Sequence, residues 1–165
     1  MNDEDSRYFR QFLKEYQGES DRGAALVGAA QVDKQLADLL RSFLLPIRQT
    51  NELLEGNNAP LGTFSARITA AYCLGLITDL EHNELHLIRK VRNEFAHHTH
   101  GLTFESEKVA SLCANFSDRF PPGPDHPVST PRHMFINGVM FVSLGLWNRP
   151  HSASEIKVEK REWKY

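Results

Sequence analysis

The chain has 165 residues with 41% apolar and 24% charged side chains, which predicts one globular domain (1–165) and excludes a disordered protein. The formal net charge of −2 gives no support for a basic DNA-binding face. The acidic N-terminus is unlike a secretory signal, the longest apolar stretch (134–147) is too short to span a membrane, and Cys73 and Cys113 show no CxxC spacing. These features predict a cytoplasmic protein with reduced thiols.

The N-terminal part predicts two helices followed by a short third one. The first runs from Asp3 to Gln17, where Gly18 breaks it. The second is amphipathic, with apolar residues three or four positions apart at Ala25, Ala29, Val32, Leu36, Leu39 and Phe43. Asp21 is a candidate for its N-cap and Pro46 for its stop. A short further piece covers 47–54.

Turn-forming residues fill the next stretch, EGNNAPLG (Glu55–Gly62). Thr63 or Ser65 then begins a helix whose small residues invite close packing against a neighbour. The helix after it carries the histidine-rich stretch RKVRNEFAHHTH (Arg89–His100) as far as about Ala96. The pattern from 55 onward is therefore that of a turn followed by two helices.

That second helix starts at Thr78 or Asp79 and runs to about Ala96. Another helix has Glu105 or Ser106 near its start. The five prolines from residue 120 to residue 131 predict an irregular crossing segment.

The last third predicts a buried helix and a solvated tail. RHMFINGVMFVSLGLW (132–147) is apolar nearly all round and indicates a buried helix, with a buried strand pair as the alternative. The charged tail (152–165) alternates in sign and is expected to be solvated. The predicted architecture is an all-α, single-domain bundle of six or seven helices, with a proline-rich loop before the last helix.

Helical geometry separates the residues of the histidine-rich stretch. At about 100° per residue, the core stripe of this helix holds Glu84, Leu87, Ile88, Val91 and Phe95. Arg92 lies at the edge of that stripe, whereas Asn93 and His97 lie on the opposite face. His98 would return towards the stripe if the helix continued.

A metal site is not supported by the spacing of the histidines. His82 and His86 are four residues apart, but Glu84 lies on another face, and Glu94–His97 is a single ExxH motif without the second one that a di-iron bundle needs. We therefore expect no metal and no cofactor. Histidines at a helix C-terminus can instead bond the last carbonyls, and Gly101 suits a chain reversal.

RNEFAH (Arg92–His97) has the form Arg-x4-His and resembles the RNA-cleaving motif of HEPN domains, small helical bundles that usually pair two chains across the active site. A metal-independent ribonuclease would use His97 as general acid or base and Arg92 as the cation, with Asn93 beside them. Arg92 and His97 point about 140° apart on a regular helix. They converge only if the helix ends near Phe95, or if a second chain completes the site.

A structural interpretation has at least equal weight. In it, Arg92 is a semi-buried guanidinium that ties the helix to Glu84 or to a neighbouring loop. Asn93 and His97 then form a hydrogen-bonded pair on the surface.

Three stretches together resemble the mannitol operon repressor (MltR/YggD) family: RGAALVGAAQVDKQLADLLRSFL (22–44), LLEGNNAPLGTFSARITAAYCLGLI (53–77) and LHLIRKVRNEFAHH (85–98). The resemblance covers a core of 18–104 well and the C-terminal third only loosely. Its two long motifs are N-x-P-L-G-T/S-F-x-x-[RK] and I-R-x-[IV]-R-N-x-F-A-H. The residues that match them are Asn58, Pro60, Leu61, Phe64, Arg67, Arg89, Arg92, Asn93, Phe95, Ala96 and His97.

This resemblance implies an all-helical protein that represses transcription, in the best-known case of a mannitol uptake operon, and it implies no catalytic residues. Because no helix-turn-helix or basic surface is evident, we expect action through a protein partner in a transcription complex and no direct DNA contact. Whether the chain forms a homo-oligomer stays open. We also expect the turn 58–62 to pack against the end of the 89–97 helix, with Arg67 and Arg92 as polar struts.

Overall fold

The computed structural model describes residues 3–56, 58–117 and 130–164. Within these ranges the chain forms eight helices and no strand, which confirms the all-α prediction and excludes the strand pair at 132–147. The helices are α1 (Asp3–Gln17), α2 (Asp21–Phe43), α3 (Arg48–Leu54), α4 (Phe64–Cys73), α5 (Asp79–His97), α6 (Glu107–Cys113), α7 (Pro131–Trp147) and α8 (Arg149–Glu155). The predicted proline-rich segment lies outside the described residues, except for Thr130 and Pro131 at the start of α7.

Side-chain caps set the start of most of the longer helices. Thr63 and Thr78 cap α4 and α5, and Thr78 forms a capping box with Glu81. The prediction that Asp21 caps α2 is wrong, because Ser20 accepts the hydrogen bond from the Gly23 amide at 3.0 Å. Asp21 instead accepts hydrogen bonds from the Phe104 amide and from Arg132.

The second helix, α2, is the centre of the bundle. It packs against α1, α3, α4, α5, α7 and α8. Its predicted apolar face is buried at Ala25, Ala29, Val32, Leu36 and Leu39, and Phe43 packs at the edge of the core. Small residues allow close approach, since Gly28 lies against the hydroxyl end of the Tyr16 side chain from α1.

The predicted core stripe of α5 is confirmed. Glu84, Ile88, Val91 and Phe95 are buried, and Leu87 is half-buried. The Phe95 ring contacts Phe104, which in turn contacts Phe135 of α7. The stripe therefore faces α7 and the segment that leads to α6.

The C-terminal part has one helix more than the sequence indicated. Residues Arg149–Glu155 form α8, so the first residues of the predicted tail are helical and the proline-rich segment precedes the last two helices. Arg149 forms an ion pair with the buried Glu81 at 2.6 Å, and Ala153 is buried. Residues 156–164 are exposed, and the Val158 amide donates to the Phe43 carbonyl at 2.8 Å. In the described part of the chain, every helix is too short or too polar to cross a membrane.

Candidate functional site

Arg67 fixes the turn that carries the first of the two motifs, from Asn58 to Arg67. Its side chain is only 13% exposed and donates three hydrogen bonds of 2.9 Å. Two go to the carbonyl oxygens of Leu54 and Leu61, and the third goes to the Asp33 carboxylate on α2. The guanidinium therefore holds both ends of the turn and ties it to the central helix, as predicted for a polar strut.

Some residues of the turn face solvent and others face the core. Asn58 and Pro60 are exposed, while Leu61 and Phe64 pack against the core cluster. The Leu61 amide donates to the Leu53 carbonyl at 2.9 Å and closes the turn onto α3. The apolar members of the segment thus stabilise it, and the exposed ones lie on the surface beside the start of α4.

Arg92 is not the second strut. It is exposed, and its Nη1 donates to the Asn93 Oδ1 at 3.1 Å within the same helix. Glu84 instead accepts the Ser117 amide at 2.8 Å. Asn93 therefore pairs with Arg92, and the predicted hydrogen bond between Asn93 and His97 is not formed. Arg92 and Asn93 lie beside a groove that α2 also lines.

That groove is a cavity of about 520 Å³, and residues of both motifs line it. Three parts of the chain line it: Gly62 to Ser65 at the start of α4, then Arg89, Arg92 and Asn93 of α5. The third part is α2, with Leu26, Ala29, Ala30 and Asp33. The expectation that the two motifs lie close together is confirmed, because residues of both line this cavity.

The end of α5 is held by a residue that the sequence did not single out. Arg22 of α2 donates from Nη1 to the Phe95 carbonyl and from Nη2 to the His98 carbonyl. The His98 ring lies 2.9 Å from the Glu94 carbonyl, as expected for a histidine at a helix C-terminus, and Gly101 reverses the chain with φ of 72°. No local pattern could have indicated Arg22, because its partners are more than seventy residues away.

The other histidine pair forms a small surface cluster. The Nε2 atoms of His82 and His86 lie 3.1 Å apart, and the Tyr72 ring stacks on His82. Partial burial and the neighbouring His82, Arg89 and Lys90 charges lower the pKa of His86. Within the described residues, no group of three or more metal-binding side chains occurs.

The ribonuclease motif is not assembled within one chain. The helix continues through His97, so Arg92 and His97 keep directions about 140° apart, and both side chains are exposed. The condition that the helix should end near Phe95 is not met. The ribonuclease hypothesis therefore requires a second chain to complete the motif.

Searches of protein families and of curated proteins found no match for this chain. Among solved structures, the fold is similar to that of MtlR, the mannitol operon repressor, in the MtlR–HPr complex from Escherichia coli. The TM-score is 0.62 and the identity 18%, over 83% of this chain and 96% of that chain. The fold is thus the one that the sequence resemblance implied.

Proposed function

We propose that this chain is a cytoplasmic regulator that represses transcription by binding a protein partner, without direct contact to DNA. The observation that carries the proposal is the likeness of its fold to nearly the whole chain of a repressor whose solved structure is a complex with another protein, HPr. Both motifs of the sequence resemblance lie on one cavity of that fold, which agrees with a shared architecture.

The charges on the exposed face of α2 and α3 support a protein partner over DNA. Lys34 and Arg41 both pair with Asp38, at 2.8 and 3.0 Å, and Arg48 pairs with Glu52 at 3.2 Å. Each basic side chain here is next to a carboxylate, so the face does not present the uncompensated positive charge that phosphate contacts require.

Two binding measurements test the proposal. Size-exclusion chromatography with light scattering should show a complex with HPr from the same organism. Fluorescence anisotropy with DNA from upstream of the regulated gene should show no sequence preference at 50 mM or 200 mM salt. Sequence-specific, salt-sensitive DNA binding by the protein alone would contradict indirect action, and the lack of a complex would exclude HPr as the partner.

We also propose that the chain is not an enzyme. Two observations support this. Arg92 and His97 point about 140° apart on α5, and Arg92 donates a hydrogen bond to Asn93. Incubation with single-stranded and structured RNAs should leave them intact. RNA cleavage that is abolished in His97→Ala, with an unchanged circular dichroism spectrum, would establish the ribonuclease instead.

A further inference from the structure

We propose that the cavity between α2, α4 and α5, here called the Arg89–Arg92 cavity, binds a small organic phosphate monoester. The phosphate would lie between the two arginines and the start of α4, and the organic part would pack over Leu26, Ala29 and Ala30 on α2. This site is independent of the proposed protein partner. Its volume of about 520 Å³ is in the range of small-molecule sites.

The charges in the cavity favour an anion. Arg89 and Arg92 both line it, and neither forms a salt bridge with any described residue. The one carboxylate on the wall, Asp33, already pairs with Arg67 at 2.9 Å. The charge of Asp33 therefore compensates Arg67, whose other donors bond to carbonyl oxygens of the turn. No carboxylate among the lining residues is left to compensate Arg89 and Arg92.

Arg89 has a donor that requires an acceptor. Its Nε is buried and has no hydrogen-bond partner in the part of the chain that the structure describes. A buried donor left unpaired costs about 1 to 3 kcal/mol. No hydrogen bond from the Arg89 guanidinium occurs within the described residues, and a phosphate in the cavity can accept from two arginines at once.

The start of α4 faces the same space. Thr63 accepts the Ala66 amide at 3.2 Å, which leaves the amides of Phe64 and Ser65 among the first helical N–H groups without an intrahelical acceptor. Both residues line the cavity. Together with the arginines, they give donors from two of the helices that line the cavity, and the small apolar side chains of α2 suit a carbon skeleton.

Isothermal titration calorimetry at constant ionic strength tests the site. The probes are glycerol 3-phosphate and glucose 6-phosphate, with glucose and inorganic phosphate for comparison. We expect a monoester to bind more tightly than inorganic phosphate, and glucose not to bind. No binding of either monoester would overturn the proposal, and equal affinity for inorganic phosphate would overturn the role of the organic part.

Substitutions locate the binding. Arg92→Gln, at an exposed position, should weaken monoester binding at least about tenfold, which corresponds to about 1.4 kcal/mol, and Arg89→Gln should do the same if it folds. Arg48→Gln is the matched control, because that arginine is 81% exposed and does not line the cavity. Unchanged affinity in Arg92→Gln would show that the anion binds elsewhere and would overturn the proposal.

Discussion

Arg48 of α3 and Arg67 of α4 each form an ion pair with a carboxylate, but the two side chains differ in exposure. Arg48 is 81% exposed and pairs along its own helix. Arg67 is 13% exposed and joins three segments. The sequence predicted a structural role for Arg67 through the family motif, but it assigned the same role to Arg92. Exposure, which depends on the neighbouring helix, distinguishes these arginines.

Arg67→Ala should lower the free energy of unfolding by about 2 to 4 kcal/mol, because it leaves Asp33 and two carbonyl groups without their donor. Arg48→Ala should change it by no more than about 0.5 kcal/mol. Urea titration followed by circular dichroism measures both variants. Equal effects would show that the Arg67 network does not stabilise the turn.

The stability that Glu81 contributes to the fold depends on pH. Burial alone would raise its pKa, but hydrogen bonds from Arg149 and Thr78 outweigh that effect and lower it. A lowered pKa in the folded state contributes stability above the ordinary carboxyl pKa of about 4.3, and this stability is lost as the pH falls through the lowered value.

Glu81→Gln should therefore be less stable than the native protein at pH 7. The difference should shrink once the pH falls below about 4.3. Urea titrations at pH 7, 5, 4 and 3.5 give the comparison. Glu52→Gln, at an exposed carboxylate, serves as the control and should show little difference at any pH. A gap between native and Glu81→Gln that is constant over this range would show that Glu81 does not titrate with a lowered pKa.

At the scale of elements, local signals placed most helices well. The structure gives α1 the predicted bounds, and α5 ends one residue beyond the predicted Ala96. The cap of α2 was misassigned because Asp21 and Ser20 are both good capping residues, and only the tertiary contacts of Asp21 with Phe104 and Arg132 decide between them. The short α8 was missed because its stabilising contacts, through Arg149 and Ala153, come from other helices.

The docking of α1 onto α2 depends on Gly28. A Cβ at this position would clash first with the hydroxyl oxygen of the buried Tyr16, and it would lie 2.9 Å from Cζ of that ring and 3.1 Å from Cγ2 of Val139 of α7. Gly28→Ala should therefore destabilise the protein by about 1 to 3 kcal/mol through overpacking. Gly23→Ala in the same helix should cost less, because the nearest group there is the flexible carboxylate of Glu19 and the next is the capping Ser20 Oγ at 3.1 Å.

Tyr16→Phe separates this steric effect from a polar one. The Tyr16 hydroxyl is buried without a hydrogen-bond partner among the described residues, and burial raises the pKa of this phenol. Its removal should be neutral or stabilising, and it should restore part of the stability lost in Gly28→Ala. Thermal unfolding of the two single variants and the double variant tests this. A double variant as unstable as the sum of its parts would show no contact between them.

At the scale of the whole molecule, the candidate site could not be predicted as a cavity. The sequence identified both motifs, but α2 also lines the cavity, and no spacing rule relates Leu26, Ala29 and Asp33 to segments so much further along the chain. The angular positions of residues along α5 alone place Asn93 beside His97. The structure groups Asn93 with Arg89 and Arg92 because the neighbouring helix supplies the groove.

The C-terminal helix α8 also packs against α2, which predicts how the end of the chain contributes to stability. A chain shortened after Val158 keeps α8, the Arg149–Glu81 ion pair and the bond to the Phe43 carbonyl, and should unfold within about 0.5 kcal/mol of the full chain. A chain shortened after Asn148 leaves Glu81, which is 4% exposed, without its cation and uncovers part of α2. It should lose about 3 kcal/mol or more. Urea titration of both forms, with Arg149→Met in the full chain, distinguishes loss of the ion pair from loss of packing. If both shortened chains were as stable as the full one, α8 would not be part of the cooperative fold.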